Sequence, residues 1–292
     1  MSQAATRGSR RVLAGLVLVV TLTLAGCSDP GPTPQPLVTG STPDTPSRVA
    51  TAIYAGALRN AGADVSDEHP VGTDAELLGK MDDGSLDLIP TWSGELLGQL
   101  DPGATGLSTD DVYDQLNQAL PQGISAGDAT SVQDKPLVFV STALATASDV
   151  DELTECDRLP AGLPLVTIDE PDPVTLGQLS GAGCAFGPPQ RLSAQQAVAE
   201  VAAGRAAGLF SALGVVGDDA DLQGLADTDD ALRAQDLVPV FRTAALSRTL
   251  FRAMNKVAGE LTTADLTTMA GEVDGGGDLN AVAGRWLGEH SL

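Results

Sequence analysis

From residue 37 onward, short β-like apolar runs alternate with segments of helical periodicity, and this alternation constrains the fold more than any other feature. A strand cannot leave its apolar face in water, so a chain that alternates strands with amphipathic helices folds in layers, helices on sheet. Residues 37–39 read as a first strand. Ser41, Thr42, Pro43, Asp44, Thr45 and Pro46 supply turn and N-cap chemistry, and the spacing of Val49, Ile53, Ala57 and Leu58 predicts a helix ending near Gly62. A strand follows around 63–65. Thr73 and Glu76 form a capping-box pattern opening a helix to Met81, after which Asp82-Asp83-Gly84 turns into a strand over 86–90 and a further helix starts at Ser93.

The same alternation continues to the end. A helix over 110–120 stops at Pro121, strands are expected at 137–141, 207–210 and 237–241, and helices at 193–203, 245–258, 263–270 and 279–287, with Thr262 or Thr263 as a cap. Gly187-Pro188-Pro189 marks a bend. Roughly 255 residues exceed the ~100–200 usual for one domain, so two lobes are expected. There is no internal repeat.

The first residues follow another logic. Arg7, Arg10 and Arg11 precede an apolar stretch over 12–25, shorter than the roughly 20 residues that cross a bilayer as a helix. Leu24-Ala25-Gly26-Cys27 closes it and resembles the lipobox of bacterial lipoproteins. Residues 1–26 are therefore expected to be a signal peptide and Cys27 the lipidated residue. Two or three acyl chains, each gaining about 0.8 kcal/mol per buried methylene, would hold the protein permanently on the extracytoplasmic face of the membrane. The proline-rich stretch SDPGPTPQP within residues 27–36 then serves as a tether.

Without the signal's three arginines, 13 basic side chains face 39 acidic ones, a net of −26. Such a surface has no basic stripe to release counterions from a phosphate backbone, which excludes nucleic acid as a partner and leaves the lipid as the sole membrane contact. The acids are dispersed and read as a solubilising surface. Cys156 and Cys184 remain in a compartment where disulfides persist; a disulfide between them is expected, with two buried free thiols as the alternative. His69 and His290 stand far apart without ligand spacing and read as surface residues, so neither a metal nor another cofactor is expected. No GxSxG element occurs and no motif pairs the carboxylates, so an enzyme is not expected.

Residues 80–97, KMDDGSLDLIPTWSGELL, resemble a segment of the glycine betaine, choline and related osmoprotectant-binding proteins of ABC importers, in which a helix, a glycine turn, an Asp-containing strand and a Pro-X-aromatic-Thr/Ser-Gly loop occur together. LVTGSTPDTPSRVATAIYAGALRNAGADV is similar to that family's opening strand, loop and helix, and VGTDAELL to its second loop. GRAAGLF, LVPVFRTAALS, LFRAMNKVAGELTTADLTTMAGEV and VAGRWLGEH resemble its C-terminal part, so the likeness covers nearly all of the mature chain. It implies an α/β, two-lobed periplasmic-binding-protein type II fold, each lobe a sheet flanked by helices. The implied lobes are residues 37–130 plus 240–292, and 131–239, joined by crossing strands near 128–135 and 236–242. A small osmolyte would be held between the lobes and delivered to an ABC permease.

The resemblance also implies site residues. Trp92 falls on the motif's aromatic position, where it is either a cation-π wall for a quaternary ammonium or a packing tryptophan. Thr91 and Ser93 flank it; Ser41 and Thr42 fall on the first binding loop, where they are either ligand contacts or helix caps. Phe210 and Phe139 are candidate aromatics of the second lobe. Where the family carries a tyrosine, this chain has Lys135-Pro136-Leu137. Arg191, a loose match to an arginine that holds a carboxylate, reads better as solvated. With that wall missing, a lipoprotein that keeps the fold but acts as a sensor or envelope interaction module stands as the alternative.

Overall fold

Local chemistry accounts for most of the elements in the computed structural model, which describes residues 35–211, 213 and 221–292. The signal segment, Cys27 and most of the tether lie outside the described residues. Helix α1 (Thr45–Asn60) starts where Asp44 accepts from the Ser47 N–H, 2.8 Å away, with Pro46 in its first turn. Helix α2 (Asp74–Asp82) carries the full capping box of Thr73 and Glu76. Strand β1 (Leu88–Trp92) takes in Thr91 and Trp92, two residues beyond the sequence expectation, and passes directly into α3 (Ser93–Leu100), which has no side-chain cap. Then come α4 (Thr109–Ala119), capped by Ser108, and β2 (Ile124–Ala126).

The second lobe is built from β3 (Pro136–Ser141), α5 (Thr142–Ser148), β4 (Leu165–Thr167), α6 (Pro173–Gly181), β5 (Pro189–Arg191), α7 (Ala194–Ala202), β6 (Ala207–Ser211) and β7 (Leu222–Gly224). The chain returns to the first lobe with β8 (Leu237–Arg242), α8 (Arg248–Glu260), α9 (Thr263–Asp274) and α10 (Leu279–Glu289). Helix α8 begins three residues later than the sequence pattern predicts, because Ser247 caps it by accepting from the Leu250 N–H. Sequence periodicity missed β2, β4, β5 and β7, whose three residues each are too short to show alternation. The expected strands at 37–39 and 63–65 form only isolated parallel bridges, Leu37 with Val65 and Thr39 with Leu88.

Residues 36–292 form one compact unit holding two sheets. In the first, β8 is central and antiparallel to β1 and β2; the second runs β5-β4-β6-β3-β7, with β4 parallel to β5 and β6, and β3 antiparallel to β6 and β7. The longer strands are covered on both faces, so β1, β3, β6 and β8 read as near-continuous apolar runs. Along β8, Leu237 and Phe241 pack with residues of α1, α8, α9 and α10, while Val238 and Val240 pack with residues of α2, α3 and α4. In the second sheet, Leu165 and Leu209 face Leu153 and Leu179, and Val166 and Phe210 face Ala197 and Val201. Cys156 and Cys184 are disulfide-bonded within the former cluster, so two free thiols are not what the fold contains. His290 corrects the sequence reading: it is half-buried and stacked on Trp286, ring centroids 4.3 Å apart, while His69 is exposed. Among the described residues no helix is long and apolar enough to cross a membrane.

Two features fix the first sheet. Asp87, just before β1, accepts from Val38 N at 2.9 Å and from Arg242 Nε at 3.0 Å, locking the start of β1 to the end of β8. The other is Pro239, a proline in a central strand, where a ladder donor is missing. Toward β1 nothing is lost: Arg242 N donates to Asp87 O and Ser93 N to Asp236 O, so Pro239 and Pro90 oppose each other at a pair that exchanges no hydrogen bonds. On the other side Gly127 N donates to Pro239 O at 2.8 Å but receives nothing back; the Tyr113 hydroxyl of α4 donates to the Gly127 carbonyl instead, at 3.0 Å. A Cβ at Gly127 would press on the Met254 methyl and stand 3.0 Å from the Pro239 ring, so a glycine suits this crowded position.

Tyr113→Phe therefore strips a buried carbonyl of its donor without changing the packing volume. The expected cost is about 1–3 kcal/mol, seen in calorimetry as a fall of roughly 2–4 °C per kcal/mol in Tm. An unchanged Tm would contradict this account of Pro239.

Candidate ligand cleft

Two connections join the sheets, and they run side by side. Asp134 N donates to Gln235 O and Leu237 N to Val132 O, with an antiparallel bridge between Gln133 and Asp236. The first connection is also tied to the junction of α8 and α9, through Ser131 Oγ to Leu261 O and Gln133 N to Thr263 Oγ1, both 3.1 Å. Lys135, where the family pattern has tyrosine, turns its ammonium to Asp227 at 2.6 Å and Asp230 at 3.4 Å, binding one connection to the other.

The start of α3 docks on the second connection. Ser93 N donates to Asp236 O at 2.9 Å, Ser93 Oγ accepts from Asp236 N at 3.0 Å, and Glu95 N donates to Gln235 Oε1 at 2.9 Å. A Cβ at Gly94 would collide with the Ala234 carbonyl. The Trp-Ser-Gly motif thus has a physical reason: the hinge supplies the acceptors that an uncapped helix start needs, and only glycine lets it approach.

Above this dock lies a cavity of about 710 Å³ between the two lobes. The first lobe lines it with Trp92, Glu95 and Gln99 of β1 and α3, the second with Thr167, the stretch Ile168–Asp172, α6 and the end of β6, and the connections with Asp134 and Arg233. Among the described residues its charge is lopsided: Glu95, Asp134, Asp169, Glu170 and Asp172 line it against Arg233. Burial pushes the Glu95 carboxyl above its usual range, and the carboxylates of Asp74, Asp44, Asp134 and Asp172 push it further. Burial likewise raises Asp134, helped by Asp44 and opposed by hydrogen bonds from the Ser211 hydroxyl and Leu213 N–H. Asp74, behind Glu95, is raised by burial and by Asp44, against the bond it accepts from Thr91. Asp236 is raised by burial. The Thr167 hydroxyl is buried and lacks a hydrogen-bond partner among the described residues.

Of the six residues the sequence resemblance points to, Trp92 and Phe210 line the cleft and the other four do not. Thr91 is buried and its hydroxyl donates to Asp74 Oδ1 at 2.9 Å. Ser93 spends its hydroxyl on the hinge. Ser41 is buried in the bridge to Val71, and Thr42 donates to Asp44 Oδ2 at 2.5 Å. Both aromatics are largely covered: Trp92 is 8% exposed, and Phe210 is 2% exposed with its ring stacked on Phe139, centroids 5.7 Å apart. Tyr54 and Tyr113 are in helix interiors facing the first lobe, and Arg191 is exposed on β5. Sequence reasoning missed Glu95, Asp134 and Asp172. Glu95 stands two residues after the motif serine, so its position was in view; its convergence with acids far away in the chain was not.

The family model described as "Substrate binding domain of ABC-type glycine betaine transport system" matches residues 35–185. No curated protein matches the chain. Among solved structures, a glycine betaine/carnitine/choline ABC transporter protein superposes with a TM-score of 0.72 at 15% identity, covering 87% of this chain and 98% of that one. Apo YehZ from Escherichia coli gives 0.68 at 16% identity over 87% and 98%. Lactococcal OpuAC, closed on glycine betaine, gives 0.57 at 10% identity over 88% and 96%. At these identities the likeness establishes the fold: two lobes of the periplasmic-binding-protein type II class.

The raised carboxyls carry a pH signature. A carboxyl whose folded pKa lies above its unfolded value takes up its proton first in the folded state, so stability falls as pH rises through the folded pKa and is regained as pH falls. Asp74, Glu95, Asp134 and Asp236 all have this sign. The ligand-free domain is expected to melt higher at about pH 5.5 than at about pH 7.5, just above the ordinary carboxylate range. The gain should shrink in Glu95→Gln/Asp134→Asn, and a Tm that stays level or rises from about pH 5.5 to about pH 7.5 in the unaltered protein would contradict it.

Proposed function

The chain belongs to the family of substrate-binding domains of ABC-type glycine betaine transport systems, and from that premise we propose that it is the lipid-anchored solute receptor of an ATP-driven importer. The family is one of extracytoplasmic solute-binding proteins and not of enzymes. In this proposal Cys27 carries the lipid, the stretch to residue 36 is the tether, and a small osmoprotectant amine such as glycine betaine or choline is captured between the lobes for delivery to a permease. The proposed lobes are residues 37–130 plus 240–292, and 131–239; the pairing of β8 with β1 in the first sheet favours a second boundary nearer residue 236.

The observation that carries the proposal is the cleft between the lobes, floored by Trp92 and crossed by paired connections at Gln133 and Asp236. A solute that touches both lobes binds the closed arrangement more tightly than the open one and shifts the equilibrium toward it. Trp92 is the proposed ligand contact. The hydroxyls of Ser41, Thr42, Thr91 and Ser93 act one step behind it, shaping loops and the hinge.

The test is thermal unfolding of residues 36–292 against a panel of osmolyte amines, with Trp92→Ala beside it. A bound solute at a hundred times its Kd should add about 2.7 kcal/mol of stability. A shift that Trp92→Ala abolishes supports the receptor role; no shift with any member of the panel favours the sensor or interaction module that keeps the fold without capturing solute.

A further inference from the structure

The proposed role as solute receptor leaves open what kind of charge the ligand carries, and the cleft supplies the missing information. Among the described residues, the cationic side chains that could hold a ligand carboxylate are few and each has other partners. Arg233, the cation on the lining, donates through Nε to Gly106 O at 3.2 Å and through Nη2 to Ala104 O at 2.6 Å. Lys135 is turned away into its ion pair with Asp227, and Arg191 does not line the cavity. Two helices start at the cleft, and their N-terminal N–H groups would otherwise attract an anion. On α3, however, the Ser93 and Glu95 N–H groups donate to Asp236 O and Gln235 Oε1, and on α6 the Val174 N–H donates to Asp172. A carboxylate entering here meets carboxylates.

A positive charge meets the opposite situation. Glu95 comes from α3, Asp134 from the first connection and Asp172 from the head of α6, so both lobes and the hinge contribute an acid to one cavity. Like charges held this close oppose closure of the cleft, and a cation between them removes the opposition. Ring faces play a smaller part, because Trp92 and Phe210 are 8% and 2% exposed. A cage that recognises methyl groups needs open aromatic faces; carboxylates accept hydrogen bonds from N–H donors and attract a quaternary nitrogen by charge alone.

Resting on the receptor role above, we propose that this cleft selects its ligand by net positive charge: Glu95, Asp134 and Asp172 admit a small amine cation without a carboxylate, methylated or not, and reject zwitterionic betaines. Glu95 and Asp134 are then the specificity-determining residues. Screening by salt weakens the capture, since the acids are partly open to water.

The test is calorimetric titration of residues 36–292 at neutral pH and low salt with choline, ethanolamine, glycine betaine and ectoine. It is repeated on Glu95→Gln and Asp134→Asn, and on Glu289→Gln of α10 as a control for net charge. Choline and ethanolamine should bind within about tenfold of each other, and glycine betaine at least roughly fiftyfold more weakly. Each cleft variant should lose about tenfold in affinity for the cations while the control keeps it. Glycine betaine binding as tightly as choline, ethanolamine binding more than about a hundredfold more weakly than choline, or cleft variants that bind like the control would each overturn charge selection and leave the receptor role standing. The absence of binding by all four would overturn both. The comparison of ligands on the unaltered protein needs no variant to fold.

Discussion

The docking of α3 on the returning connection is the interaction on which the rest depends. A helix start has N–H groups that need acceptors, and α3 has no cap of its own. Its acceptors are Asp236 O and Gln235 Oε1, on the segment that carries the chain back from the second lobe. This one contact fixes the direction of α3, sets Trp92 at the end of β1 on the cleft floor, and holds Glu95 at its rim. It also ties the first sheet to the hinge, because Asp236 is bridged to Gln133 of the other connection. Gly94 belongs to the same arrangement, as any side chain there would strike Ala234 O. The grammar of the motif is therefore the grammar of a joint, with the ligand surface built upon it.

From that joint follows the electrostatics. Placing α3, the first connection and the head of α6 around one cavity brings together acids that ordinary surface exposure would keep apart, and burial adds to their mutual repulsion. Such a site stores an unfavourable interaction in the ligand-free protein. A ligand of the right charge gains from relieving it, and the gain is largest when the lobes are closest, so charge selection and closure are coupled through the same carboxylates. Lys135 takes part by a different route: its pair with Asp227 stiffens the hinge and keeps its own charge out of the cavity.

Much of the architecture was legible in the chain. The capping box at Thr73 and the N-cap chemistry around Asp44 announced α2 and α1, the helix expected over 193–203 is α7, and the apolar run ahead of Arg242 announced β8. What escaped was short or non-local. Three-residue strands such as β4 and β5 leave no period to read, and their pairing depends on neighbours far away in the chain, β4 on β6 and on α7 packed against it. Pro239 looks like a strand breaker until Tyr113, far away in sequence, is seen to replace its missing donor. The site was legible in its address and not in its chemistry. Trp92 was found, but the hydroxyls beside it are spent on Asp74 and Asp236. The acids that line the cleft had been counted as dispersed surface, because Glu95, Asp134 and Asp172 share no local pattern and converge only when both lobes are folded.

The central claim is that a solute bridges the two lobes and closes them over the α3 joint. Small-angle X-ray scattering of residues 36–292, with and without saturating choline or ethanolamine, measures this directly. A smaller radius of gyration with the cation, and none of that contraction in Glu95→Gln/Asp134→Asn under the same conditions, is the result the account predicts. Binding of the cation with an unchanged radius of gyration in the unaltered protein would contradict it.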